Sequence, residues 1–316
     1  YQVQNVFRAD KPQKGRYREF TQCDADIFGT TSPLADGEIL TLIYYIFKNV
    51  GYPKISIKVN DRQTLFNTFK PFATEKVTVF SIIQSIDKLD KLSPADVKKE
   101  LMEKGLIAEI SEKILKSVEN ATMSKNLTEI NDAAIKLGVP KDNLEFSPAL
   151  ARGLDYYTGM IFEVLVEGYG VGSCAGGGRF DNLIGDLGGK DVPAVGFALG
   201  FDRMVEAAEE LKLFPDSIYE AAKVFVTVFS KDLEEKSLNA VSFLRSKNIA
   251  TEFFVGEVKE KNSLEPQLKY AIQKGIPYVL ILGPEEAEKN VVTLKNLQTR
   301  EQTQLPLEEV SQKLLQ

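Results

Sequence analysis

Arg8, Lys11, Lys14, Arg16 and Arg18 crowd five cations into one short stretch around Pro12 and Gly15. Arginine forks bind phosphate oxygens two at a time, and lysines add compact positive charge. Val3, Val6 and Phe7 lead in, and the Lys11–Gly15 run cannot extend a helix. From Tyr17 to Gln22 a strand-like alternation resumes. The segment reads as two strands joined by a basic loop, a grip that could neutralise polyphosphate charge while a phosphorus reacts. A solvated hairpin with a basic tip is the alternative.

Two later stretches carry the same kind of signal. Arg152 stands between Ala151 and Gly153-Leu154, followed by Asp155, Tyr156 and Tyr157, and an arginine inside such a segment needs a strong anionic partner. Gly176-Gly177-Gly178 would let backbone approach a ligand without Cβ obstruction, or else make a tight strand turn. Gly170 to Ala175 matches a loose dinucleotide fingerprint. No strand-turn-helix unit with an acidic ribose partner follows it, so a Rossmann site is set aside.

Composition narrows the chemistry. The 316 residues contain no histidine, which removes Ser/His and Cys/His triads, imidazole zinc sites and histidine acid–base catalysis. Catalysis must rest on Arg, Lys, carboxylates and bound metal. Cys23 and Cys174 are far apart in no metal-like spacing, as expected in a reducing compartment without a disulfide framework. A net charge of −6 argues against indiscriminate nucleic-acid coating, although a local basic surface can still bind RNA. No apolar run reaches the roughly 20 residues of a membrane span, and no leader pattern opens the chain, so a cytoplasmic protein without membrane contact is expected.

The elements that must hold these groups follow from periodicity. Ile39 to Phe47 has the dense apolar pattern of a buried helix stopped at Gly51-Tyr52-Pro53, and Ile55 to Val59 alternates as a half-buried strand. From about Val77 to Leu144 the composition turns helical, with a helix start at Ser93-Pro94-Ala95-Asp96 and further helices over 106–118 and 127–137. Residues 161–205 are strand-rich and glycine-rich. Beyond Phe214-Pro215-Asp216, strands near 224–229, 250–255 and 278–282 alternate with helices over 233–244 and 264–272. The predicted architecture is an α+β catalytic domain, with flanking helices on an antiparallel sheet, a helical insertion and a C-terminal α/β domain with a mainly parallel sheet. The limits are 1–76 and 147–213 for the two catalytic parts, 77–146 for the insertion and 222–316 for the last domain.

The basic hairpin, in its Gly15-Arg-Tyr-Arg-Glu-Phe-Thr-Gln22 wording, resembles the second signature motif of class II aminoacyl-tRNA synthetases and specifically that of the histidyl-tRNA synthetase family. Ala151 to Gly159 resembles the family's histidine-specific signature, Gly172 to Asp181 its glycine-rich strand pair, and Ala194 to Met204 the third class II motif. Four motifs in the family's order cover most of the chain. The resemblance implies a histidine–tRNA ligase that uses ATP as substrate, with Mg2+, and that acts on histidine and tRNA(His). It implies Arg8, Arg152 and Arg203 as catalytic cations. Gln22, Asp26, Tyr156, Tyr157, Gly176 and Gly178 would bind histidine, and Arg8, Asp10, Arg16, Phe20 and Arg203 would bind ATP. No resident metal ligands are implied. The helical insertion would reach toward the tRNA acceptor arm, and the last domain would bind the anticodon.

Departures from the family pattern also carry expectations. Asp26 stands where bacterial relatives often have glutamate, Thr21 precedes Gln22, and Phe201-Asp202 precedes Arg203. The chain begins almost in the second motif, so the first motif, which builds the family's homodimer interface, is expected to lie outside it, as in a fragment or a truncated relative. Two other readings share the motifs: a histidine-binding regulatory subunit of the ATP phosphoribosyltransferase type, and a tRNA-sensing module of a kinase. Arg152 and the third motif speak for the ligase, since a sensor has no need of an α-phosphate cation.

Overall fold

In the computed structural model, residues 1–9, 11–151, 156–215, 218, 222–258 and 263–315 are described. They form two compact units, Tyr1–Leu213 and Phe214–Gln316.

The first unit opens with β1 (Gln2–Phe7) and β2 (Glu19–Phe28), paired antiparallel with Val3 opposite Cys23. α1 (Pro33–Val50) starts earlier than its apolar run suggests, because the Ser32 side chain accepts from the Leu34 N–H and Pro33 fits the first helical turn. It ends at Gly51, whose φ of 98° is the left-handed conformation that closes helices. β3 (Ile55–Asp61) leads into α2 (Arg62–Phe69), α3 (Val79–Ile86), α4 (Pro94–Glu103), α5 (Ala108–Glu119) and α6 (Lys125–Lys136). Then come β4 (Leu144–Phe146), β5 (Met160–Val166), β6 (Ala175–Arg179), the single turn α7 (Leu183–Asp186), β7 (Ala194–Gly200) and α8 (Phe201–Glu210).

The sheet runs β1-β2-β7-β6-β5-β3-β4, antiparallel throughout except for the β3–β4 edge. Paired residues share a face. One face carries Gln22, Asp24 and Asp26 of β2 opposite Gly200, Ala198 and Gly196 of β7, and β6 continues it with Gly176 and Gly178. α1 packs on β7, β2 and β3, with Ile39, Leu40, Ile43 and Phe47 almost wholly buried. The small-residue face is thereby left for something other than a helix.

Packing redraws the limits of the helical region expected over 77–146. α2 shares a core with α3, α4 and α5, built from residues such as Phe69, Ile82, Leu101 and Ile114. α6 instead lies along α1, where a Cβ on Gly37 would come within 2.7 Å of the Ala133 side chain, and β4 joins the main sheet beside β3. By contacts, α6 and β4 go with the sheet and α2 goes with the helical layer.

The second unit comprises β8 (Val224–Val226), α9 (Glu234–Ser246), β9 (Thr251–Phe253), α10 (Leu264–Gln273), β10 (Tyr278–Ile281), α11 (Pro284–Lys289), β11 (Val292–Asn296), β12 (Gln302–Leu305) and α12 (Leu307–Leu315). β9, β8 and β10 are parallel, as helix-strand alternation requires. β11 and β12 extend the sheet antiparallel, so it is mixed in the order β12-β11-β10-β8-β9. α9 and α12 share one core with β8 and β11, and α10 contributes to a second one with Phe225 and Val279. Among the described residues no helix is long and apolar enough to cross a membrane.

Candidate active site

The small-residue face of the first sheet floors a cavity of about 230 Å³. Arg8, Arg16, Phe20 and Gln22 enter it from the β1–β2 hairpin, Tyr156, Tyr157 and Gly176 from the glycine-rich side, and Arg203 from α8. Eight residues singled out in four separate sequence motifs thus meet in one place. Gly178 lies under the Tyr157 ring, where an added Cβ would stand 3.0 Å from a ring carbon and 2.4 Å from the Met160 carbonyl. Asp26 lies farther along β2, outside the cavity lining. Asp10 and Arg152 fall outside the described residues.

The hairpin holds Arg8 by stacking and by a hydrogen bond. Its guanidinium centre sits 4.8 Å from the Phe20 ring centroid, and Nη2 donates to Gln22 Oε1 at 3.3 Å. Gln22 Nε2 donates in turn to Asp24 Oδ1 at 2.8 Å, so the amide orientation is set from both ends. Because β2 alternates, Gln22 must share its face with Asp24 and Asp26. Packing over Gly196 partly desolvates the Asp26 carboxyl and, with the nearby Asp24 charge, holds it above the usual carboxylate range.

Arg203 lies in the first turn of α8, directly after β7, so a helix N-terminus and a guanidinium face the same anion-sized space. Its Nη1 donates to the Ser173 carbonyl at 2.7 Å and its Nε to the Gly15 carbonyl. Gly15 is buried at the tip of the basic loop with φ 67°, and an added Cβ would meet Val171 at 2.5 Å. α8 also clasps the loop through Lys14–Glu210 and Tyr17–Glu206, while Tyr169 donates to Glu206 at 2.8 Å. The grip is thus a loop fastened to the helix that carries Arg203.

The rings of Tyr156 and Tyr157 lie tilted at 47° with centroids 4.5 Å apart, and Phe180 meets Tyr156 edge-on at 6.0 Å. A flat ring entering here finds aromatic walls with hydroxyl tips. Tyr17, Ser173, Cys174, Ala198, Gly200 and Asp202 also line the cavity and were not anticipated. Gly200 and Asp202 could have been found from position alone, since they flank Arg203 across the β7–α8 junction. Asp202 accepts the Thr21 N–H at 2.7 Å and ties α8 to β2. Burial pushes the Cys174 thiol up to about 11, which makes it packing and not a nucleophile. Among the described residues no group of three or more His, Cys, Asp or Glu could hold a metal ion.

The arrangement can bind an anionic chain along Arg8, Arg16 and Arg203 and place a small polar aromatic molecule against Tyr156, Tyr157 and Gln22. Comparison with known proteins agrees with that division. Residues 2–204 match the family model described as histidyl-tRNA synthetase, and residues 223–316 match the one described as anticodon binding domain. The curated histidine–tRNA ligase of Christiangramia forsetii is 37% identical over 96% of this chain and 71% of its own length. The ligase of Gloeobacter violaceus is 38% identical over 97% and 71%. The crystal structure of histidyl-tRNA synthetase from Nostoc sp. PCC 7120 superposes with a TM-score of 0.77 at 26% identity, covering 100% of this chain and 77% of that one. The S. aureus apo enzyme shares the fold at TM-score 0.63 and 21% identity. With its first unit and its second unit each matched by the corresponding family model, the chain belongs to the histidyl-tRNA synthetase family.

Proposed function

We propose that this chain activates histidine with ATP to histidyl-adenylate and transfers the histidyl group to the 3′ end of tRNA(His). The observation that carries the reading is the meeting of Arg8, Arg203, Gln22, Tyr156 and Tyr157 around one cavity over a glycine floor. In the first step a histidine carboxylate oxygen attacks the α-phosphorus and pyrophosphate leaves. In the second, a ribose hydroxyl attacks the acyl carbon and AMP leaves. Both steps are governed by positioning and by neutralising phosphate charge.

Arg8 and Arg152 would hold the α-phosphate, and Arg203 the γ-phosphate. Phe20 offers a stacking face for adenine, Asp10 a nearby acceptor, and Arg16 a contact for the phosphate tail. Gln22 would take the α-ammonium, Tyr157 and Asp26 the ring nitrogens, and Gly176 and Gly178 the space for them. A site that hydrogen-bonds an imidazole rejects amino acids lacking those atoms. Magnesium would come with the ATP phosphates and help to neutralise their charge. The helical layer is proposed to face the acceptor arm, the second unit to bind the anticodon, and the working protein to be a cytoplasmic homodimer formed through the family's first motif.

Charging of a tRNA(His) transcript with labelled histidine tests the reading. Acid-precipitable histidyl-tRNA that requires ATP is expected. A folded protein that binds histidine yet neither charges tRNA nor exchanges pyrophosphate would instead be a histidine sensor.

A further inference from the structure

The signature segment that contains Arg152 is fastened at both of its described ends. On the far side, the Thr158 N–H donates to the Arg179 carbonyl at 2.8 Å, and the Gly159 carbonyl accepts from the Arg62 N–H at 2.9 Å. On the near side, Asn60 at the end of β3 is 2% exposed and donates from Nδ2 to the Leu150 and Pro148 carbonyls at 2.9 and 3.2 Å. Ala151, also 2% exposed and immediately before Arg152 in sequence, donates its N–H to Asp87 Oδ1 at 3.0 Å.

Asp87 comes from the helical layer and not from the sheet. It is the C-terminal cap of α3, and its neighbours are tethered to α4: Glu100 accepts from Lys88 at 2.8 Å and from Ser85 Oγ at 3.0 Å, and Lys104 donates to the Ser81 carbonyl at 2.8 Å. These contacts, Lys88 foremost, hold the Glu100 carboxyl down at about 2, so the tether stays charged throughout the physiological range.

We propose that Asp87 is a positioning residue for the activation step: its carboxylate pins Ala151, the residue that precedes Arg152 in sequence, so that the helical layer bears on the step that uses the arginine. The proposal rests on Arg152 being a catalytic cation. A buried N–H needs an acceptor, and an asparagine oxygen can replace the carboxylate where an alanine methyl cannot.

The test is histidine-dependent ATP–pyrophosphate exchange by the full chain carrying Asp87→Ala or Asp87→Asn, each alone and combined with Arg152→Ala. Thermal melts establish that every variant is folded. Asp87→Ala is expected to lower kcat about tenfold while KM for histidine moves less than about threefold, and Asp87→Asn to recover most of the loss. On the Arg152→Ala background, Asp87→Ala should cost less than about twofold more, because residues acting as one unit are not additive. Unchanged kcat in Asp87→Ala, or a further full tenfold loss on that background, overturns the proposal alone. Undiminished exchange by Arg152→Ala overturns the reading of Arg152 and the proposal with it. If Asp87→Ala melts early, Asp87→Glu replaces it: the charge stays, the carboxylate is displaced by one methylene, and a folded variant with full kcat would overturn the proposal.

Discussion

Arg203 is oriented by two backbone carbonyls, Ser173 and Gly15, from two separate loops. Its guanidinium is therefore preorganised before any phosphate arrives, which is where electrostatic catalysis gains most. Arg203→Ala is expected to lower the exchange kcat by about 10²- to 10³-fold with little change in melting temperature, measured by steady-state exchange and differential scanning calorimetry. Asp26 predicts a pH effect with a definite sign. Its carboxyl is held above the usual range, so it takes up a proton at a higher pH than an ordinary aspartate, and its charge is lost as pH falls through that raised value. Because the folded-state value is raised, the charged form costs folding stability, and protonation on acidification relieves that cost. The histidine-affinity difference between the parent and Asp26→Asn, measured by calorimetry, should be widest at neutral pH and narrow toward acid. A difference that grows toward acid would remove Asp26 from ring recognition. The chain has no imidazole of its own, so every imidazole signal in an NMR spectrum of untagged protein comes from added histidine. At this scale the basic hairpin was legible from its clustered cations, and the other motif residues from their resemblance to the family's signatures. Ser173 and Cys174 were not, since they matter through a carbonyl and a packed thiol that any residue or small side chain would supply.

Among the elements, β6 is the one whose sequence says most about what it must do. Gly177 faces away from the cavity, and an added Cβ would stand 2.1 Å from the Gly196 carbonyl. Gly177→Ala should destabilise the first unit by about 1–3 kcal/mol in urea unfolding, the range for overpacking a close contact. One residue beyond Gly178, Arg179 forms a buried fork with Asp36 of α1, its Nε lying 3.1 Å from both carboxylate oxygens, and its Nη1 reaches Asp181 at 3.0 Å and the Thr30 carbonyl at 2.8 Å. Asp36 is 1% exposed, so Asp36→Ala leaves a buried guanidinium short of its main partner. A loss of about 3–5 kcal/mol is expected, and an equilibrium unfolding midpoint close to the parent's would contradict it. Nothing in local sequence joins Asp36 to Arg179, because the pair is 143 residues apart and exists only once α1 lies on the sheet. The same holds for α6, whose helical pattern was plain but whose partner, α1, was not. β11 and β12 escaped notice because their short alternations, Val292–Asn296 and Gln302–Leu305, carry more polar than apolar residues and look like loop.

For the whole molecule, the Phe214-Pro215-Asp216 linker and the strand-helix alternation beyond it placed the change of character there, and the chain divides into compact units at that point. Each unit has its own buried core, so the 214–316 segment made alone should fold and melt cooperatively by circular dichroism. A segment that stays unfolded would mean its core depends on the first unit. In the first unit three arginines, a glutamine and three tyrosines surround one cavity, and the chemistry proposed for that cavity is the activation of histidine. Histidine-dependent ATP–pyrophosphate exchange tests it most directly. Exchange is expected with histidine and not with phenylalanine or glutamine, and the histidine signal should be lost in Arg203→Ala and in Tyr157→Phe. Exchange that is indifferent to the amino acid, or that survives both substitutions in folded protein, would contradict it.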